Sequence, residues 1–251
     1  MTGPGALWPV LPETWVVDEA VHVLRVDVPA ARSRMAGLSA LLSPGERVRA
    51  ARFRQTADRE RYVATRGVLR VVLASVLRAR GVGAAPCEIR IARGTWGKPY
   101  TPDAPDVAFN VSHAGDLALV AVAHGRDVGV DVEHARPDIV VGELVAVALS
   151  DEERTWWATV SPDDRHGAFF DLWTRKEALA KAAGGGLGRT EIPWAGPERD
   201  ASERDAPERV AVDGRVWTVR RLDVAPSYPA AVAAAGAGWP LRTWTYRFAA
   251  P

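Results

Sequence analysis

The chain has 251 residues, 47% of them hydrophobic and 25% charged, with a formal net charge of +1. That length buries one large core or two of about 125 residues, and the near-zero charge gives no global basic field for nucleic acid. Cys87, the single cysteine, excludes an intrachain disulfide and argues against a cysteine zinc site. There is no run of about 18 apolar residues, and the opening Met1–Trp8 lacks the basic and apolar regions of a secretory signal. A cytoplasmic protein without membrane or nucleic-acid partners is expected.

Residues 1–15 read as a Pro- and Gly-rich extended arm. Val21–Val28 alternates as a strand does, with His22 expected on its surface face rather than as a ligand. Ser43-Pro44-Gly45-Glu46 is a capping box with proline at the first helical position. It opens a short basic helix carrying Arg47, Arg49, Arg52 and Arg54. A longer helix is predicted over Asp58–Arg80, with an apolar stripe of Tyr62, Leu69, Leu73, Val76 and Leu77 and with Arg59, Arg66 and Arg70 on another face. Such arginines are ordinarily solvated. Two adjacent helices presenting them the same way would instead make a phosphate-binding surface, because the guanidinium fork matches phosphate oxygens.

Glu88–Ile91 reads as a short strand and Gly94–Pro99 as a loop carrying Lys98. Asp106–Ser112 is a strand ending at Ser112-His113, and the apolar run Leu117–Ala123 suits a central strand. The turn His124–Asp127 is expected to fold the chain back as a hairpin into Val128-Gly129-Val130-Asp131-Val132-Glu133. In that strand the valines face one way while Gly129, Asp131 and Glu133 face the other. Gly129 leaves room for a close approach to the backbone. Two carboxylates one strand-step apart repel unless a cation or proton lies between them, which suits Mg²⁺ with phosphate in its remaining positions. A solvated strand face is the plainer reading of that pattern by itself.

Ser150–Glu153 is a second capping box, and Ser161-Pro162 starts a helix on which Trp173, Glu177 and Lys181 share a stripe. The two Ser-x-x-Glu helices, each followed by strands, suggest an internal duplication. A glycine turn spans 184–188, and residues 195–209 form an exposed, charged loop. A hairpin runs through Asp213-Gly214, and Ala230–Ala235 and Arg242–Phe248 are the closing strands. No Gly-x-Ser-x-Gly, Walker A or Gly-x-Gly-x-x-Gly motif is present.

Val128–Glu133 followed about forty residues later by Trp173-Thr-Arg-Lys-Glu-Ala-Leu-Ala-Lys181 resembles the paired signature of the Sfp-type 4′-phosphopantetheinyl transferases. Phe109–His113, Trp96–Pro99 and Gly184–Leu187 match further family elements in the same order, so the resemblance covers the chain from about Ser43 to Leu187. It implies an α/β (α+β) pseudodimer of two similar halves, each a helix packed on a mainly antiparallel sheet, residues 1–125 and 126–251, which favours a monomer. It implies an enzyme of the holo-[acyl-carrier-protein] synthase type. Coenzyme A would bind between the halves, and its phosphopantetheine arm would pass to a serine of an apo carrier protein, releasing 3′,5′-ADP.

By the same resemblance, Asp131, Glu133 and Glu177 hold Mg²⁺, Glu177 assists deprotonation, and Lys181 offsets charge on the bridging oxygen. Arg47, Arg49, Arg61 and Arg66, with Tyr62, grip the 3′-phosphate. Lys98, Ser112 and His113 add phosphate contacts, and Lys176 serves phosphate contact or local pairing. Carrier proteins of polyketide, nonribosomal peptide or fatty acid synthesis are the implied partners, meeting apolar residues around Ala148–Trp157. An inactive coenzyme A or nucleotide binder and a Trp-rich interaction module are the alternatives. Metal-dependent nucleotide binding separates the last from the others.

Overall fold

The alternating stretch near the N-terminus forms strand β1 (Val21–Asp27) in a computed structural model that describes residues 7–94, 96–185 and 206–248. The chain divides into two units, one of Trp8–Val128 with Trp239–Pro251, the other containing Gly129–Gly238.

In the first unit, β1 pairs antiparallel with β5 (Leu117–His124), which pairs antiparallel with β4 (Val107–Ala114). The closing strand β10 (Leu241–Thr245) lies parallel to β1 on its other edge, giving the order β10-β1-β5-β4. Helices α1 (Met35–Ala40), α2 (Pro44–Ala51) and α3 (Thr56–Ala79) follow β1. The predicted apolar stripe of α3 buries Leu69, Leu73, Val76 and Leu77 in a core with Leu24, Phe109 and Val120. That apolar burial, worth roughly 25 cal/mol per Å², is what holds helix to sheet.

The structure corrects three expectations. His22 is fully buried rather than on the surface. The indole N–H groups of Trp15 and Trp244 both point at its Nδ1, at 2.9 and 3.1 Å, and its Nε2 meets Asp18 at 2.9 Å. Two donors on Nδ1 fix the ring as the neutral Nε2–H tautomer. Burial depresses its pKa, with Asp18 acting in opposition. The Glu88–Ile91 strand is absent. Pro86–Glu88 is a 3₁₀ turn, and Arg70 Nη1 takes the carbonyls of Pro86 and Ile89 that a ladder would need. The short pair β2 (Ala92–Arg93) and β3 (Pro99–Tyr100) forms instead.

The midpoint hairpin is also absent. Both edges of β5 are taken, by β1 and β4, and β6 (Val128–Val132) belongs to another sheet, of order β6-β9-β8-β7. The first unit runs to Val128, and the C-terminal segment groups with it because β10 pairs with β1.

In the second unit, α4 (Val141–Ala148), α5 (Asp151–Thr159) and α6 (Arg165–Ala183) follow β6. Helix α6 starts at Arg165, three residues beyond Pro162. The hairpin β7 (Glu208–Val212) and β8 (Arg215–Arg221) turns through Asp213 and Gly214, both at positive φ (51° and 72°), the two-residue turn that matches strand twist. β8 then pairs antiparallel with β9 (Ala230–Ala235), on which α6 packs through Ala178, Leu179 and Ala182.

Both units therefore carry one topology: a strand, a capped helix, a long helix, then antiparallel strands whose last member pairs with the first strand. The duplication reaches atomic detail. Ser43/Glu46 and Ser150/Glu153 form the same capping box, and in each case the next residue, Arg47 or Arg154, donates to the carbonyl just before the serine, Leu42 or Leu149. The predicted readings for residues 1–6, Gly186–Gly188 and 195–205 lie outside the described residues.

Candidate functional site

Within the second unit, β6 lies against α6, and Gly129 is why the two come so close. A Cβ built there would stand 2.2 Å from the Ala178 carbonyl oxygen and 2.3 Å from the Ala182 nitrogen. The close approach allowed by Gly129 is therefore made by helix backbone rather than by a ligand. Two residues on, Asp131 is only 2% exposed and its Oδ1 accepts from Lys181 Nζ at 2.5 Å. Its Oδ2 is buried and takes no hydrogen bond. The strand stops at Val132, so Glu133 lies just past it, half-buried, accepting from the side chain of Trp173. Trp173, Glu177 and Lys181 share one stripe of α6, as their spacing by four requires, and that stripe meets the Asp131/Glu133 face.

The electrostatics follow from this packing. Burial, and then the charge of Asp131, raise the Glu133 carboxyl above its ordinary value, while Trp173 and Lys181 oppose. Burial also raises Glu177, with Lys181 opposing and Asp131 adding to the shift. Among the described residues, the Lys181 ammonium stands beside all three carboxylates, whose like charges favour a cation between them. The donor set is all oxygen, the chemistry that a hard divalent ion takes. Among the described residues no three Asp, Glu, His or Cys side chains converge into a ready-made metal cage. The helix itself is tied down elsewhere: Arg221 grips Asp171 through Nε and Nη2, and Arg175 bridges Asp171 and Glu208.

The first unit holds a cavity of about 520 Å³ lined by Arg49, Arg66, Arg70, Arg93, Tyr62 and His113 around Glu46. Glu46 caps α2 and takes both Arg66 and Arg70. Burial alone would raise its carboxyl, but Arg66, the Ser43 N–H and Arg70 together hold it below the ordinary value. Arg49 lies over the Tyr62 ring, 5.5 Å from its centre. The cavity is therefore basic, with one carboxylate already neutralised by two guanidinium groups.

Of the predicted coenzyme A contacts, Arg49, Arg66 and His113 line this cavity. The others stand apart from it. Arg47 donates to the Leu42 carbonyl, and Arg61 to Gly115 O and Asp58. Lys98 pairs with Asp127 at 3.0 Å, and Ser112 is buried in β4. Of the two readings of Lys176, the structure shows local pairing: buried at the α5–α6 contact, its Nζ donates to Glu153 at 2.5 Å and to the Ala148 carbonyl. Trp156 and Trp157 are half-buried against the core of Phe169, Phe170 and Leu172. Sequence reasoning missed Glu46 and Arg93 as cavity residues and treated Arg70 as solvated. The capping box disguised Glu46, whereas the i, i+4 spacing of Arg66 and Arg70 was a usable sign of a shared acidic partner.

The family model described as the 4′-phosphopantetheinyl transferase superfamily matches residues 127–233, and that for the N-terminal region of 4′-phosphopantetheinyl transferase matches residues 29–125. The chain is 32% identical over 243 residues to 4′-phosphopantetheinyl transferase HetI of Nostoc sp., covering 95% of this chain and 97% of that protein. It is 28% identical over 167 residues to 4′-phosphopantetheinyl transferase Sfp of Bacillus subtilis, covering 66% and 71%. Against 4′-phosphopantetheinyl transferase AcpT of Escherichia coli it is 33% identical over 148 residues, covering 59% and 68%. No helix among the described residues is long and apolar enough to cross a membrane.

Proposed function

This chain belongs to the 4′-phosphopantetheinyl transferase superfamily, and we propose that it moves the phosphopantetheine arm of coenzyme A onto a serine of an apo carrier protein, with Mg²⁺ as cofactor. The observation that carries the reading is the meeting of the α6 stripe with the end of β6, where Lys181 donates to Asp131 and Trp173 to Glu133. Asp131 is buried with Glu133 and Glu177 half-buried near it, and carboxylates so placed cost stability unless a cation is shared among them.

Asp131, Glu133 and Glu177 would hold the ion, which when bound neutralises charge on the pyrophosphate and on the departing phosphate. The serine oxygen bonds to the β-phosphorus while the bond from that phosphorus to the bridging oxygen breaks. The bridging oxygen keeps the electron pair and leaves with 3′,5′-ADP. Glu177 accepts the serine proton, and a positioned base contributes roughly 10² to 10⁴ in rate. Lys181 offsets the charge gathering on the bridging oxygen. In the other unit, Arg49, Arg66 and His113 take the 3′-phosphate of coenzyme A, the arginines through their forked donors. The acceptors assigned are carrier proteins of fatty acid, polyketide or nonribosomal peptide synthesis, as for a holo-[acyl-carrier-protein] synthase.

Intact-mass measurement of an apo acyl carrier protein, incubated with this protein, coenzyme A and Mg²⁺, tests the reading. A gain of one phosphopantetheine that disappears with EDTA and with Glu133→Gln is expected. No gain on any carrier type, with coenzyme A still binding, would leave a binder and sink the transferase assignment. Full transfer in EDTA would remove the ion from it.

A further inference from the structure

Asp131 is fixed by a strand and a lysine, and Glu177 by a helix, but Glu133 lies beyond the last residue of β6, where no strand bounds it. Its carboxylate accepts from Trp173, and its backbone is held by the connection between β8 and β9. The Glu133 N–H donates to the Pro229 carbonyl at 3.0 Å, and the Ala135 N–H to the Ser227 carbonyl at 2.9 Å. Between these two bonds the His134 ring lies flat on the Tyr228 ring, with centroids 4.6 Å apart and planes within 4°. Glu133 thus heads a three-residue segment clamped at both ends and stacked in the middle.

The loop that does the clamping is itself rigid. Pro226 and Pro229 flank Ser227-Tyr228 and remove backbone freedom at both ends. The Tyr228 N–H closes a turn onto the Ala225 carbonyl at 3.1 Å. Ser227 sits at φ 62°, a left-handed conformation that a non-glycine residue keeps only where its surroundings enforce it. A fixed loop bonded to the residues on either side of a flat ring pair controls where the neighbouring carboxylate can reach.

From this we infer that Tyr228, through its stack on His134, is a positioning residue that aims Glu133 at the cation, an inference resting on the metal reading above. Partners that orient a metal ligand without touching the ion typically govern affinity for that ion.

The test is Mn²⁺ binding to the full chain with coenzyme A, read from the electron paramagnetic resonance signal of free Mn²⁺, alongside thermal unfolding. Tyr228→Ala is expected to weaken Mn²⁺ binding by about 10-fold to 100-fold, and Tyr228→Phe, which keeps the ring, by no more than about twofold. Transfer should largely recover in Tyr228→Ala at saturating Mg²⁺, because the loss is in aim rather than chemistry. Should Tyr228→Ala not fold, His134→Leu removes the other ring and is expected to lose affinity in the same way. Parental Mn²⁺ affinity in a folded Tyr228→Ala or His134→Leu protein overturns the inference, with Glu133→Gln losing the metal to show that the site itself is real. Parental affinity in Glu133→Gln, or no binding by the unsubstituted chain, overturns the metal reading and this inference together.

Discussion

Glu46 shows how one side chain serves several ends. It closes the N-terminus of α2, pairs with Arg66 and Arg70, and lines the basic cavity. Arg70 is 2% exposed, so removing its partner strands a buried cation. Glu46→Ala is expected to cost about 3 kcal/mol, the typical penalty for breaking a buried ion pair from one side, measured by urea denaturation. The sign of its pH dependence follows from its depressed pKa. The stability it contributes is present above its unfolded value of 4.5 and is lost as pH falls through the folded pKa. The Glu46→Ala protein should therefore lose less stability than the parent on acidification from pH 5 to pH 3, and equal losses would contradict the pairing. Capping-box spacing made the helix start legible here, but the two arginine partners come from α3 and are joined only by packing.

At the scale of elements, the β6–α6 contact is the one on which the candidate site depends. Gly129→Ala would drive a Cβ into the backbone of α6, and backbone cannot give way as the far end of a side chain can. Overpacking of this kind costs roughly 1–3 kcal/mol, and here it also pushes Lys181 away from Asp131. Carrier loading should fall by more than the loss of folded protein accounts for, as followed by melting midpoint and transfer rate on the same samples. Gly37→Ala, in the interior of α1 with nothing within 4 Å, is the matched control and should gain about 0.5–1 kcal/mol. Both the α6 stripe and the alternation of β6 could be read from spacing by four and by two. The nature of what approaches Gly129 could not, because a glycine in a strand signals closeness without naming the neighbour.

Across the whole molecule, the chain's last strand belongs to the unit that contains its first. β10 pairs with β1 through Val21–Arg25, Trp244 donates to buried His22, and Thr245 exchanges backbone bonds with Pro9 and Leu11. A chain ending at Gly238 would uncover the β1 edge and leave His22 with one indole donor fewer. Limited proteolysis with mass spectrometry should then show early cuts within residues 8–27, far in sequence from the deletion. Protection of that segment equal to the intact chain would contradict the role given to β10.

The sequence alone determined what depends on neighbours a few residues apart: the two capping boxes, the helices after them, the Asp-Gly hairpin, and the faces carrying Asp131 and Glu133 or Trp173, Glu177 and Lys181. Motif resemblance added the family. Tertiary structure alone decided what depends on distant segments. It put β6 beside β9 instead of β5, because both edges of β5 were already paired. It buried His22 between two tryptophans 229 residues apart in sequence (15 and 244), sent Lys176 to Glu153, and stacked Tyr228 on His134 next to Glu133. Local periodicity fixes which face a side chain takes; only the closing of long loops fixes what that face meets.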